Sequence, residues 1–161
     1  MSLQVITIPN GVDRQALTPR RGRDVVRQEL GVSRDAAVSV SLAALVPEKD
    51  PLGVIELLVP YLCDRPDAVH LFVGAGPLMH DVEARAAALL PAGRVRCLGE
   101  RYDVADILGA ADLLVFASPP GGMEGMPASA VTSSDVSFCP SPVKSSTFMI
   151  AVPSFGFAAK P

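Results

Sequence analysis

Between Asp35 and about Val131 the chain alternates short apolar runs with helix-like stretches, and this alternation restricts the fold more than any other feature. Val38–Leu42, Val69–Val73, Arg94–Leu98 and Asp112–Phe116 read as strands. Asp50-Pro51 reads as a helix N-cap followed by proline at the first helical position. The helix after it carries Val54, Ile55, Leu57, Leu58 and Leu62, and Pro60 is expected to kink or end it. A second helix spans Leu78–Leu90, and a third, Val104–Ala110, has Asp103 in position to cap it. Strands alternating with helices of this length form parallel crossovers. The strands read as apolar runs more than as period-2 alternations, as expected when both sheet faces are covered. The expected fold is therefore α/β, a Rossmann-like parallel sheet with helices on both faces. Ligands of such sheets bind outside the carboxyl ends of the strands.

The two flanks differ from this centre. Residues 1–34 form a lead-in segment, 35–131 the α/β domain, and 132–161 an atypical Ser/Pro/Phe-rich tail. Arg14, Arg20, Arg21, Arg23 and Arg27 are expected to lie on the solvated side of a helix around Gly22–Leu30, stopped by Gly31. From Val136 to Pro161 the only charged residues are Lys144 and Lys160, and Thr147–Val152 is the one strand candidate.

Several function classes fall away. A net charge of −3 gives no field to draw in nucleic acid or an acidic membrane. Aromatic residues are 5% of the chain and Trp is absent, so stacking platforms for single strands are not expected. Cys63, Cys97 and Cys139 are odd in number and widely spaced, which suits neither a disulfide framework nor a zinc site. No basic segment followed by an apolar run opens the chain, and no apolar run reaches a membrane span, so the expected location is the cytoplasm. His70 and His80 stand without an acid or cysteine at ligand spacing and are read as structural.

Three segments carry possible chemistry. Val73-Gly74-Ala75-Gly76-Pro77-Leu78 joins a strand to a helix N-terminus. It is either an anion site or a tight turn without a ligand. Met79 stands where a dinucleotide fingerprint needs its third glycine, which argues against a dehydrogenase. Lys49, in the loop after the first strand, either reaches a phosphate or is simply solvated. Glu124, within Gly121-Gly122-Met123-Glu124-Gly125-Met126-Pro127, either accepts hydrogen bonds from sugar hydroxyls or is a solvent carboxylate in a loose loop.

The order of these segments resembles one family. Ile8-Pro9-Asn10-Gly11-Val12-Asp13, Leu45-Val46-Pro47-Glu48-Lys49, Val73–Leu78, Leu98-Gly99-Glu100-Arg101-Tyr102-Asp103-Val104, Ala110-Ala111-Asp112 and Glu124-Gly125-Met126-Pro127 are similar to the C-terminal, donor-binding half of group 1 GT-B glycosyltransferases. The resemblance covers roughly residues 5–131. It implies transfer of a sugar from a nucleoside diphosphate to an acceptor, with the nucleotide sugar as substrate and no cofactor or metal. It implies Lys49 on the donor diphosphate and Glu124 on the donor sugar. Gly74, Gly76 and the backbone of Gly125, Met126 and Pro127 would approach the donor, with Arg101 near the nucleobase.

The chain also departs from the pattern. Ala43-Ala44-Leu45 stands where the family often has Gly-Arg-Leu, and Thr132 stands where a second acid should follow Glu124. Motif, charge and periodicity all stop at Thr132, and the resemblance leads to the expectation that the acceptor-binding half is missing. The expectation is a truncated or frameshifted glycosyltransferase, binding a donor but inactive alone, whose uncovered sheet edge favours self-association. The alternatives are a non-catalytic nucleotide-binding module that needs a partner chain, a fragment without function, and, more remotely, a nucleotide-sugar epimerase. Reading the coding DNA in the other two frames after Val131 tests the frameshift. A frame that restores an acid and further strand–helix units supports it, and none doing so defeats it.

Overall fold

The computed structural model describes residue 15, residues 17–116 and the strand backbones of residues 138–140 and 148–151. In chain order the elements are α1 (Arg23–Glu29), β1 (Val38–Leu42), a 3-10 turn (Pro47–Lys49), α2 (Pro51–Asp64), β2 (Val69–Val73) and α3 (Met79–Leu89). They continue with β3 (Val95–Cys97), α4 (Val104–Ala110), β4 (Leu113–Phe116), β5 (Phe138–Pro140) and β6 (Phe148–Ala151). The sheet order is β3-β2-β1-β4-β6-β5. Strands β1 to β4 are parallel, while β6 pairs antiparallel with β4 and β5 antiparallel with β6. This is the expected α/β architecture, and the strand expected at 147–152 is present as β6. Among the described residues no helix is long and apolar enough to cross a membrane.

The helices cover both faces because alternate strand residues carry apolar groups both ways. On one face Phe72 and Val115 pack with Ile55, Leu58 and Leu62 of α2 and Val82 and Ala86 of α3. On the other, Val38, Val40, Leu71 and Leu114 pack with Ile107 of α4 and with Val32 and Ala36. Helix α2 runs on through Pro60 to Asp64, where an end or kink was expected. Pro60 and Glu56, whose carbonyl loses its helical partner, are both exposed, so water can satisfy that oxygen. Leu58 and Leu62, each 1% exposed, anchor the helix on either side of the break.

Of the early arginines, Arg14 lies outside the described residues and Arg20 is exposed as expected, but Arg21 and Arg23 are half-buried and Arg27 is buried. Arg27 is 2% exposed. It donates to the carbonyls of Ala110 (2.9 Å), Arg34 (2.6 Å) and Ala36 (2.8 Å) and to Asp112 Oδ2 (2.8 Å). Arg23 donates to the Ala111 carbonyl at 3.1 Å and also pairs with Asp112. These guanidiniums satisfy carbonyls left over at the end of α4, where positive charge also suits the helix dipole. Asp112 additionally accepts the Val38 amide at 2.8 Å, so one carboxylate joins α1 to the first residues of β1 and β4. Burial pushes the Asp112 carboxyl up, but the Val38 amide and the two arginines outweigh it and hold it below its ordinary value. Position in sequence hides this clamp, since its partners lie about 80 residues apart.

At the carboxyl ends of the strands the loops are joined edge to edge. The Ala43 amide donates to Val73 O (3.1 Å), Leu45 N to Ala75 O (3.1 Å), Leu78 N to Leu45 O (3.1 Å) and Gly74 N to Gly99 O (2.8 Å). Two glycines permit this. Gly74 has φ +142°, and a Cβ there would lie 2.1 Å from the Ala43 carbonyl oxygen. A Cβ on Gly76 would lie 2.4 Å from the Leu45 carbonyl oxygen.

Two measurements follow from these contacts. Gly74→Ala is expected to cost about 3 kcal/mol in urea unfolding, from backbone strain and overpacking together. Gly93→Ala has φ +81° but nothing within 4 Å. It is expected to cost about 1 kcal/mol. Equal losses would show that the close approach adds nothing. The second concerns His70, whose ring is fully buried, with Nδ1 2.9 Å from Ser39 Oγ and Nε2 unpartnered among the described residues. Burial pushes its pKa down to about 3. The unfolded chain then binds the proton that the folded chain refuses, so stability falls as pH drops below the ordinary histidine value of about 6.5. Unfolding at about pH 5 is expected to lose about 2 kcal/mol relative to pH 6.5. His70→Asn should flatten that slope, and an unchanged slope would rule out His70 as its source.

Candidate functional site

The strand order reverses between β1 and β4, because α2 and α3 return on one face of the sheet and α4 on the other. At such a switch point neighbouring loops part to opposite sides and leave a crevice. An open cleft lies there, lined by Ser41 in β1, Ala43 and Ala44 just after it, Lys49 in the 3-10 turn, Pro51 at the start of α2, and Phe116 at the end of β4. Its walls are mostly apolar, and Lys49 is the charged residue among those that line it.

Lys49 is placed there by the 3-10 turn Pro47–Lys49, which carries the chain from β1 into α2. Asp50 then adopts φ 44°, in the left-handed region, and its Oδ1 accepts the Gly53 amide at 3.0 Å. The expected N-cap is thus formed. That cap satisfies one amide of the first turn of α2, and Lys49 just before it is the charged residue lining the cleft. Helix α3 starts differently, with no side-chain cap at Leu78. Its positive end lies directly after Gly76, whose loop is bonded to the β1 loop through Leu45.

Gly74 and Gly76 both have a structural reason to be glycine, as their contacts with the β1 loop require. The seam they allow joins the Lys49 loop to the glycine turn, and the Gly74–Gly99 bridge joins that turn to the segment containing Arg101. Three of the sequence-predicted segments therefore share one end of the sheet. Glu124, Gly125, Met126 and Pro127 lie outside the described residues, as does Ile8–Asp13.

Arg101 is held from the side by Asp103, with Nε donating to Oδ1 at 2.8 Å and Nη2 to Oδ2 at 2.7 Å. Arg21 pairs with the same carboxylate and reaches Asp106 Oδ2 at 2.8 Å. Asp103 is therefore not the side-chain cap that its position suggests, because α4 has no such cap and the carboxylate is spent on two arginines. Arg101, working against burial, pulls the Asp103 carboxyl down to about 2. The Arg20 and Arg21 amides donate to Asp106 Oδ1 at 2.6 and 3.0 Å, which fixes the chain before α1 against α4. Between Arg101 and Asp103, Tyr102 stands 96% exposed.

Sequence reasoning passed over Ser41, Phe116, Arg21 and Asp106. A signal existed for Ser41, since Ser39 and Ser41 alternate with Val38 and Val40 in a buried strand and mark one face as polar. Ser41 Oγ donates to Val115 O at 2.7 Å, bridging β1 and β4 beneath the cleft. Nothing local marks Arg21, whose partners are more than 80 residues away.

The fold is similar to that of several solved glycosyltransferases. Anabaena Alr3699/HepE in complex with UDP-glucose is 25% identical, with a TM-score of 0.59, over 68% of this chain and 30% of that chain. The C-terminal domain of the glycosyl transferase group 1 family protein LpcC from Francisella tularensis is 21% identical, with a TM-score of 0.60, over 73% of this chain and 64% of that chain. WaaG, a glycosyltransferase involved in lipopolysaccharide biosynthesis, is 23% identical, with a TM-score of 0.58, over 68% of this chain and 30% of that chain. The last two show a shared fold, that of one half of a GT-B enzyme. No curated protein sequence matches. The profile of the family described as "Glycosyl transferases group 1" matches residues 22–138, most of the chain. The chain therefore belongs to the group 1 glycosyltransferases.

Proposed function

We propose that this chain binds a nucleoside-diphosphate sugar at the β1/β4 switch point, as the donor for transfer of its glycosyl group to an acceptor. The observation that carries this reading is Lys49 in the switch-point cleft of a group 1 glycosyltransferase, with the glycine turn and the Arg101 segment bonded into the same end of the sheet. HepE, which has this fold, has been solved with UDP-glucose, with UDP and glucose, and with UDP.

In this reading the Lys49 ammonium lies against the diphosphate and balances the charge that grows on the leaving nucleotide as the glycosidic bond breaks. Gly74 and Gly76 let backbone approach the donor, and the uncapped start of α3 adds a favourable dipole. Arg101 sits toward the nucleobase. Glu124 accepts hydrogen bonds from the donor sugar, and Gly125, Met126 and Pro127 bring backbone close to it. Residues 35–131 form the donor-binding unit. Transfer also needs an acceptor held in line with the donor, a large share of the barrier reduction. The chain spans about 30% of the length of HepE and of WaaG. We assign donor binding to this chain by itself, and turnover to it only together with an acceptor-binding partner.

A thermal melt of the full chain with UDP, GDP or ADP tests the reading. One nucleotide is expected to raise the midpoint, with about 2.7 kcal/mol of added stability at 100 times its dissociation constant. Lys49→Ala removes a charge-assisted contact of about 1.5–3 kcal/mol, weakening that nucleotide roughly 10- to 100-fold. A cooperative melt that no nucleotide shifts, or an equal shift with Lys49→Ala, would contradict the proposal.

A further inference from the structure

Asp103 is shared by two arginines that stand far apart in the chain. Arg101 gives it the Nε and Nη2 edge of its guanidinium, at 2.8 and 2.7 Å. Arg21 reaches the same Oδ2 through its own Nη2. The other donors of Arg21 go to fixed elements: Nε to Asp106 Oδ2 in α4, at 2.8 Å, and Nη1 to Glu29 at the end of α1. The backbone around Arg21 also lies against α4. The Arg20 and Arg21 amides donate to Asp106 Oδ1, and a Cβ on Gly109 would meet Pro19 Cγ at 2.8 Å.

An ion pair between near neighbours on one loop turns with that loop and contributes little by itself. Asp103 is not tied to α4 as its cap either. Among the described residues, Arg21 is the long-range side-chain partner that anchors the Asp103 carboxylate to α1 and α4. Asp103 occupies the Nε edge of Arg101, so the Nη1 N–H groups point away from it, in a direction set by where Asp103 is held. We propose, resting on the donor reading above, that Arg21 is a positioning residue for the nucleotide. It holds Asp103, Asp103 holds Arg101 side-on, and Arg101 turns its other edge to the nucleobase. Arg21 itself touches no donor atom in this scheme. Arg23 and Arg27 do not share the role, because they bond the other end of α4 and Asp112.

The test is calorimetric titration of the full chain with UDP, GDP and ADP, repeated with Arg101→Ala, Arg21→Ala, the two together, and Arg23→Ala. Arg101→Ala is expected to weaken the nucleotide that binds about 10- to 100-fold, through loss of a charge-assisted contact. Arg21→Ala is expected to weaken it about 3- to 10-fold, because Arg101 is kept but must be ordered on binding. The double variant should bind within about twofold of Arg101→Ala alone, since residues that act through one contact are not additive. Arg23→Ala also cuts a tie to the α4 end of the domain but none to Asp103, so its binding should stay within about twofold of the unsubstituted chain. Where Arg21→Ala does not melt cooperatively, Arg21→Lys replaces it and is read in the same way, because lysine keeps the charge but cannot fork between carboxylates. Losses that add in the double variant, no loss on changing Arg21, or an equal loss with Arg23→Ala overturn the positioning role. No loss with Arg101→Ala overturns it too and leaves the donor site standing. Failure of all three nucleotides to bind the unsubstituted chain removes the donor reading itself and this inference with it.

Discussion

The close approach of Gly74 to the Ala43 carbonyl is the contact on which the rest of this site depends. A side chain at that position would push the β2 loop away from the β1 loop, and the backbone hydrogen bonds on either side of it would not close. Because they do close, three loops are joined edge to edge at the carboxyl end of the sheet. A ligand that touches several of them meets a preformed surface, and less of its binding energy is lost in ordering them. The same glycines that a motif reader assigns to phosphate binding are required here by packing. The two roles are compatible, since a turn without side chains is also open to a ligand from its outer side.

A second constraint works from the far side. Arg23 and Arg27 satisfy the carbonyls at the end of α4 and converge on Asp112, while Arg21 ties Asp103 and Asp106 to the chain before α1. Each guanidinium replaces water at groups that would otherwise be left without partners. The result fixes α4, and with it the segment that carries Arg101, without using any residue that lines the cleft. The α4 side of this end of the sheet is thus held by ion pairs and carbonyl bonds remote from the cleft.

Much of the fold was legible in the sequence because its signals are local. Apolar runs of five residues such as VHLFV, the Asp50-Pro51 helix start and the glycine turn after β2 each depend on neighbours within a few positions. What was not legible depends on pairs distant in the chain. Arg27 reads as a solvent residue until Ala110 and Asp112 are brought beside it. Asp103 reads as a helix cap until Arg21 and Arg101 take its carboxylate. Pro60 reads as a helix end because propensity cannot know that Leu58 and Leu62 are buried on either side. For the site, the sequence brought out Lys49, Gly74, Gly76 and Arg101, but it did not show that the first lies at a strand-order reversal, which only topology reveals.

The central claim is the location of donor binding, and amide chemical-shift mapping by NMR tests it most directly. Adding the nucleotide to the labelled full chain is predicted to move the amides of residues 43–50, 74–80 and 98–103 together, at one dissociation constant. The end of α2 near Arg94 and the Arg27–Asp112 clamp should stay unmoved. Shifts centred on those distant regions, or confined to one loop with the other two silent, would contradict the account.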